Sequence, residues 1–314
     1  MISYPPEYNA KILLFGEYTL LLGSRALTIP FRKFSARLKF NTDPKPKNIT
    51  SGKNLKKFYD YLDSRRPDFP VGLDVDPDKF KTDLEDGLFL DSDIPQGYGI
   101  GSSGVLVASV YKAYSKNPLI PEQGSNLIDL KKYFSFMESF FHGTSSGLDP
   151  LSCYAQKPIR VSSPDKIEIV EFPSEKNDSV FYIFLVDTGL MSKTEGLVQL
   201  FLEKSNSPKY RKVLLNSMIP GNNRCIDHVL EGRIRDFLSE VETLSGLQLE
   251  IFSEMIPDNY KKLWENGITT GNYSFKLCGS GGGGFILGFT RDMENVSSMF
   301  REYGQKVLPV FING

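Results

Sequence analysis

Between Lys276 and Phe289 the chain reads Lys276-Leu-Cys-Gly-Ser-Gly-Gly-Gly-Gly-Phe-Ile-Leu-Gly-Phe289, with glycine at five of the six positions from Gly279 to Gly284. The flanks predict two strands. A plain hairpin needs only one or two glycines. Five of them remove every side chain except that of Ser280, so a ligand or another loop can approach the backbone closely. This segment is expected to form one wall of an active cleft.

A second glycine segment, Pro95-Gln-Gly-Tyr-Gly-Ile-Gly-Ser-Ser-Gly104, runs into the helical period of Val105–Tyr114. Glycines at alternate positions let successive N–H groups converge, and a helix N-terminus adds partial positive charge, which together suit a phosphate. Ser102 and Ser103 stand where a helix is capped, so a plain capped turn is the competing reading. Three alternating glycines exceed what a cap needs. Gly99–Gly104 fits G-x-G-x-x-G literally, but the polar, proline-broken DSDIPQGY before it is not the strand of a dinucleotide site. No Lys-Ser/Thr pair closes the loop as in a Walker motif, and no HRD, DFG or APE sequence marks a protein kinase.

Composition narrows the field further. At 314 residues the length suggests two domains. Net charge is −1, with 37 basic and 38 acidic side chains, so no general basic field is present for nucleic acid or an anionic membrane. Cys153, Cys225 and Cys278 lie far apart, and the histidines are His142 and His228 alone, which disfavours disulfide frameworks, zinc sites and His-based triads. No apolar run approaches the roughly 18 residues of a membrane helix, so a cytoplasmic protein is expected.

Strands are predicted at 11–15, 26–31, 180–189 and on both flanks of the glycine run, with a last one at VLPVFI. Residues 41–53 read as a polar loop or hairpin tip, and 89–104 as loop from Pro95 onward. Helical periods cover 54–65, 105–114, 126–141, 194–217, 223–245, 258–267 and 291–303. The pattern implies an α+β protein of two domains.

Three segments then carry a family resemblance. Lys11-Ile-Leu-Leu-Phe-Gly-Glu-Tyr18, Pro95–Ser103 and Lys276–Gly284 resemble, in order, the three signature motifs of the GHMP kinases, which include galactokinase, homoserine kinase, mevalonate kinase and phosphomevalonate kinase. Phe141-His-Gly-Thr-Ser-Ser-Gly-Leu-Asp149 is similar to the mevalonate kinase form of the segment holding the catalytic aspartate, and Asp187–Thr194 to the strand and loop that follow.

The resemblance implies a ribosomal protein S5 domain 2-like N-terminal domain over 1–178 and a ferredoxin-like C-terminal domain over 179–314, with ATP at their junction. It implies ATP and Mg²⁺ as cofactors, with Gly97, Gly99, Gly101, Ser102 and Ser103 around the phosphates and Ser103 and Glu138 on the metal. Asp149 would be the base, and Lys11 would lie beside it. Glu17, Tyr18, Thr194, Gly281, Gly282 and Gly283 would surround a small hydroxyl acceptor, mevalonate first, with phosphomevalonate or a sugar next. Taken singly, Lys11 reads as a strand-edge residue, Glu138 as the wet face of a helix, and Asp149 before Pro150 as an N-cap. Only their joint register favours chemistry. Tyr18 replaces the usual His of motif 1, Gly104 the Ala after the double serine, and Ser280 the Ala of motif 3. A relative that only senses its ligand would be expected to lose one of Lys11, Ser103, Glu138 and Asp149, and all four are present. No nucleic-acid or membrane partner is implied, and a homodimer is compatible.

Overall fold

A computed structural model describes residues 6–40, 45–122, 125–173, 180–192 and 194–310, and leaves the side chains of Thr194 and Glu195 undescribed. The chain forms two compact units that interleave in sequence: Met1–Lys11, Pro30–Pro95 and Gly101–Lys157 make the first, and Ile12–Ile29, Gln96–Ile100 and Pro158–Gly314 the second. The division expected at 178/179 falls on residues 174–179, outside the described residues.

In the first unit, β1 (Tyr8–Phe15) supplies its opening residues, and the second half of β2 (Ala26–Phe40) pairs antiparallel with β3 (Leu88–Ser92), Ala36 opposite Ser92 and Phe40 opposite Leu88. Helix α1 (Pro46–Ser64) packs on β3 and on α2 (Pro77–Glu85). It begins on a proline, whose fixed φ suits a first turn, and buries Leu55, Phe58, Tyr59 and Leu62 at helical spacing. The expected loop at 41–53 is therefore helix from Pro46 onward, while 41–44 lie outside the described residues. Its first turns bury no side chain, which is why no apolar period announced them. Helix α2 and strand β3 also escaped the sequence reading, since α2 buries Phe80 alone and β3 is five residues beside a glycine loop. Helices α3 (Ser102–Tyr114), α4 (Asn126–His142) and α5 (Leu148–Ala155) pack on one another. Tyr111 meets Phe134 and Tyr154 edge-on with centroids 5.1 and 5.4 Å away.

The second unit holds the start of β2, which pairs with β4 (Ile159–Ser163), and β4 turns back into β5 (Lys166–Ile169). Strands β6 (Tyr182–Asp187), β7 (Ser274–Leu277), β8 (Phe285–Thr290) and β9 (Val307–Val310) form an antiparallel sheet in the order β7-β8-β6-β9. Helices α6 (Thr194–Ser205), α7 (Pro208–Val213), α8 (Ile219–Leu230), α9 (Ile234–Ile251), α10 (Asp258–Thr270) and α11 (Met293–Glu302) complete the unit. The long stretches expected at 194–217 and 223–245 are each divided. Ser207-Pro208 restarts the first, and Gly232 at φ 71° ends α8 within the second. Phe184, Tyr273, Phe275, Phe300 and Trp264 fill the core of this unit. Among the described residues, no helix is long and apolar enough to cross a membrane.

Candidate active site

The first unit gathers the charged residues. Gly101, at φ 84°, is the N-cap of α3, so Ser102 and Ser103 are its first two helical residues rather than its cap. The Ser103 hydroxyl donates to Oε1 of Glu138 at 3.0 Å and lies 3.3 Å from Nε2 of His142. Glu138 points inward from α4 and is 3% exposed, which removes the wet-face reading. Its second oxygen, Oε2, accepts from the Ser145 hydroxyl. Burial first, and the charge of Asp149 second, push the Glu138 carboxyl up to about 7, against the opposing pull of the two serine hydroxyls and Lys11.

Lys11, 2% exposed on β1, places Nζ 2.8 Å from Oδ1 of Asp149, whose side chain is 36% exposed. Helix α5 is capped by Gly147 at φ 72°, so Asp149 sits in its first turn and is not the N-cap. The helix N-terminus favours its negative charge there. Glycines set these approaches. A Cβ on Gly147 would lie 2.2 Å from the Lys131 carbonyl oxygen of α4, and one on Gly104 2.9 Å from the Asp149–Pro150 peptide of α5. A Cβ on Gly101 would stand 3.0 Å from Cγ of Lys11 and 3.2 Å from Sγ of Cys153. Burial pushes the Cys153 thiol up, so it stays protonated and packs. Lys11, Gly101, Ser103, Glu138 and Asp149 are thus brought together. Ser145 and Cys153 join them without having been singled out, and His142, expected to be a structural loop residue rather than a base, joins them as the last residue of α4; a hydroxyl seven residues after a helical carboxylate carries no signal by itself.

The second unit gathers the glycines. Gly97 and Gly99 have φ of 76° and 75°, and the Gly97 carbonyl accepts from the Ser192 amide at 3.0 Å. A Cβ on Gly99 would lie 2.6 Å from the Cys278 carbonyl oxygen. On Gly281, Gly282 and Gly283 a Cβ would meet Met255 at 2.4 Å, Leu197 at 2.6 Å and Leu190 at 2.8 Å. The sequence left open whether a ligand or another loop presses on this run. Other segments of the same unit do so at Gly281, Gly282 and Gly283. Glu17 and Lys276 form an ion pair of 2.5 Å with side chains 2% and 1% exposed. Tyr18, at φ 58°, donates its hydroxyl to the Ser280 carbonyl and packs its ring 4.9 Å from Phe201 and 5.2 Å from Phe252. Burial pushes the Tyr18 phenol up. The side chain of Thr194 lies outside the described residues.

Among the described residues no group of three or more His, Cys, Asp or Glu side chains could hold a metal ion. The hard oxygens of Ser103 and Glu138 nevertheless suit a cation that keeps its remaining ligands as water and phosphate, the habit of Mg²⁺.

No model of a known protein family matches the sequence, and no curated protein does. Solved structures do match its fold. The chain is similar to L. major mevalonate kinase in complex with R-mevalonate, at 15% identity and TM-score 0.66, covering 100% of this chain and 97% of that one. It is similar to Streptococcus pneumoniae phosphomevalonate kinase in complex with phosphomevalonate and AMPPNP, at 16% identity and TM-score 0.62, with coverage of 97% and 99%. Lactococcus lactis galactokinase complexed with galactose follows at 14% identity and TM-score 0.63, covering 98% and 93%. The mixed α+β architecture is therefore the GHMP kinase fold.

Proposed function

We propose that the chain is an ATP-dependent kinase that transfers the γ-phosphoryl group to a hydroxyl of a small molecule, with mevalonate as the acceptor. The observation that carries the reading is the first-unit cluster. A lysine buried to 2% exposure holds a half-open aspartate, beside a serine–glutamate pair at the start of a helix entered through glycine.

Each group has a role in such a transfer. The amides at the start of α3, from Gly101 to Ser103, would hold phosphate, with Gly97 and Gly99 shaping the loop that leads to them. Ser103 and Glu138 would hold Mg²⁺, which when bound neutralises phosphate charge. Asp149 would orient the acceptor hydroxyl and take its proton as the new P–O bond forms and the bond to the ADP oxygen breaks. Lys11 holds Asp149 in place through its ion pair, and its charge opposes what builds on the transferred group. Glu17, Tyr18 and Gly281–Gly283 enter through the shape they give the second unit's loop, since their polar groups and close approaches are taken up within that unit. Thr194, the first residue of α6, belongs to the acceptor reading through the family resemblance.

The test is ADP release with mevalonate, phosphomevalonate, galactose and homoserine offered in turn. Turnover fastest with mevalonate is expected. A better rate with a sugar would overturn the acceptor and keep the kinase. Binding of an ATP analogue with no ADP release from any acceptor would make the chain a ligand sensor.

A further inference from the structure

Both oxygens of the Glu138 carboxylate are held by hydroxyls. Oε1 accepts a hydrogen bond from the Ser103 hydroxyl, and Oε2 accepts one from the Ser145 hydroxyl. The second contact is the less expected one, because Ser145 belongs to the loop between α4 and α5 and has no counterpart among the roles assigned above. That loop is fastened at several points. The Ser145 carbonyl accepts from the Ser135 hydroxyl of α4 at 2.6 Å, and the Ser145 hydroxyl oxygen accepts from the Gly147 amide at 3.0 Å. Gly147 is the cap of α5 and packs too tightly on α4 for any Cβ. One hydroxyl therefore joins the carboxylate of Glu138 to the turn that launches the helix carrying Asp149.

We infer that Ser145 is a positioning residue for metal binding: it fixes the orientation of Glu138 and ties it in register to the Asp149 helix. This rests on the kinase reading above. A carboxylate 3% exposed has few ways to be held. Without Ser145, Oε2 would lose its donor while still facing the charge of Asp149, and the side chain would be free to rotate away from Ser103. Groups that orient a metal ligand in this way typically change metal affinity or activity by about 10–100-fold when removed.

The test uses the full chain with Mn²⁺ and AMPPNP, reading Mn²⁺ affinity by electron paramagnetic resonance, ADP release against free Mg²⁺, and Tm. Ser145→Ala is expected to weaken Mn²⁺ binding about 10-fold and to raise the Mg²⁺ needed for half-maximal turnover by a similar factor. Its Tm should stay near wild type, and saturating Mg²⁺ should restore most of the rate. Ser145→Thr keeps the hydroxyl and should recover wild-type affinity. Should Ser145→Ala fail to fold, Ser145→Cys, of similar shape and with a much weaker donor, replaces it. Wild-type Mn²⁺ affinity in Ser145→Ala, or equal losses in the Ala and Thr variants, would overturn the inference and leave the kinase reading standing. A wild-type protein that binds no Mn²⁺ with AMPPNP would remove both.

Discussion

Each unit contains a buried lysine paired with a carboxylate, and the two pairs differ in one respect. In the second unit Lys276 and Glu17 are 1% and 2% exposed, so the pair is closed to solvent on both sides. In the first, Lys11 is as deeply buried, but Asp149 is 36% exposed. In a closed pair the attraction serves chiefly to offset the cost of taking two charges out of water. A pair with one open partner keeps a carboxylate available while a fixed cation holds it in place. The surroundings agree. Lys276 also donates to the Leu277 carbonyl at 2.8 Å and lies 5.6 Å from the centre of the Phe15 ring, whereas the open pair adjoins Glu138, Ser103 and a helix N-terminus. Similar chemistry thus makes a fastening in one unit and a candidate reactive group in the other.

Substitution at the open pair should break activity and spare the fold. Asp149→Asn keeps the shape and should lower kcat by about 10²–10⁴-fold, with Tm within a few degrees of wild type. A well-folded Asn variant with near-normal turnover would end the distinction between the two pairs. The closed pair should behave in the opposite way. Lys276→Met leaves Glu17 buried without its cation and should cost about 3–5 kcal/mol in denaturant unfolding, while Lys276→Met with Glu17→Leu recovers much of that loss. If the single variant is as stable as wild type, the closed pair is no fastening.

A pH series sharpens the contrast at the next carboxylate. Glu138 has its carboxyl raised from an ordinary value near 4.5 to about 7, by burial and by Asp149. A carboxyl raised in the folded state binds its proton more tightly there than in the unfolded chain. Its contribution is therefore fully present below the unfolded value and is lost as pH climbs from about 4.5 through about 7. Glu138→Gln has no such charge to bury. Measured without metal, the Tm of Glu138→Gln minus that of wild type should grow between pH 5 and pH 8, by the equivalent of a few kcal/mol at most. A difference that stays flat across that range would mean Glu138 ionises as freely as a surface carboxylate.

The sequence disclosed the two units' chemistry unequally. Lys11, Ser103, Glu138 and Asp149 are legible as a set only through the resemblance to the GHMP kinase motifs, whereas the glycine runs are local patterns, legible because backbone geometry leaves its mark on neighbouring residues. The α+β class followed from periodicity for the same reason. What stayed hidden depends on partners distant in the chain. Nothing near Glu17 shows that Lys276 closes it off, and nothing near Gly281 shows that Met255 fills the space a Cβ would take. Tyr18 stood out only as a departure from a motif; its hydroxyl bond to Ser280 spans 262 positions. The first turns of α1 were missed because they bury no side chain, so they offer no period to detect.

The smallest expected effects come from a matched pair of helical glycines, one in each unit. Alanine is favoured over glycine in a helix interior by about 1 kcal/mol, because it restricts the unfolded chain. Gly246 lies within α9 of the second unit, and a Cβ there meets nothing within 4 Å. Gly246→Ala should therefore raise stability by about 0.5–1 kcal/mol, without effect on turnover. Gly104 lies within α3 of the first unit, where the added Cβ would stand 2.9 Å from C of Asp149 and N of Pro150. Both atoms are backbone, so no side chain can swing aside, and α3 and α5 must move apart to admit the methyl. Overpacking of this kind costs about 1–3 kcal/mol, which outweighs the gain in propensity. Gly104→Ala should be destabilised by about 1 kcal/mol net. Its rate should fall by more than that loss explains, because the peptide displaced is that of Asp149. Paired denaturation curves and kcat values at a temperature where both variants are folded make the comparison. A Gly104→Ala protein that gains stability as Gly246→Ala does, at unchanged kcat, would show that the spacing of α3 and α5 has no bearing on the reactive aspartate.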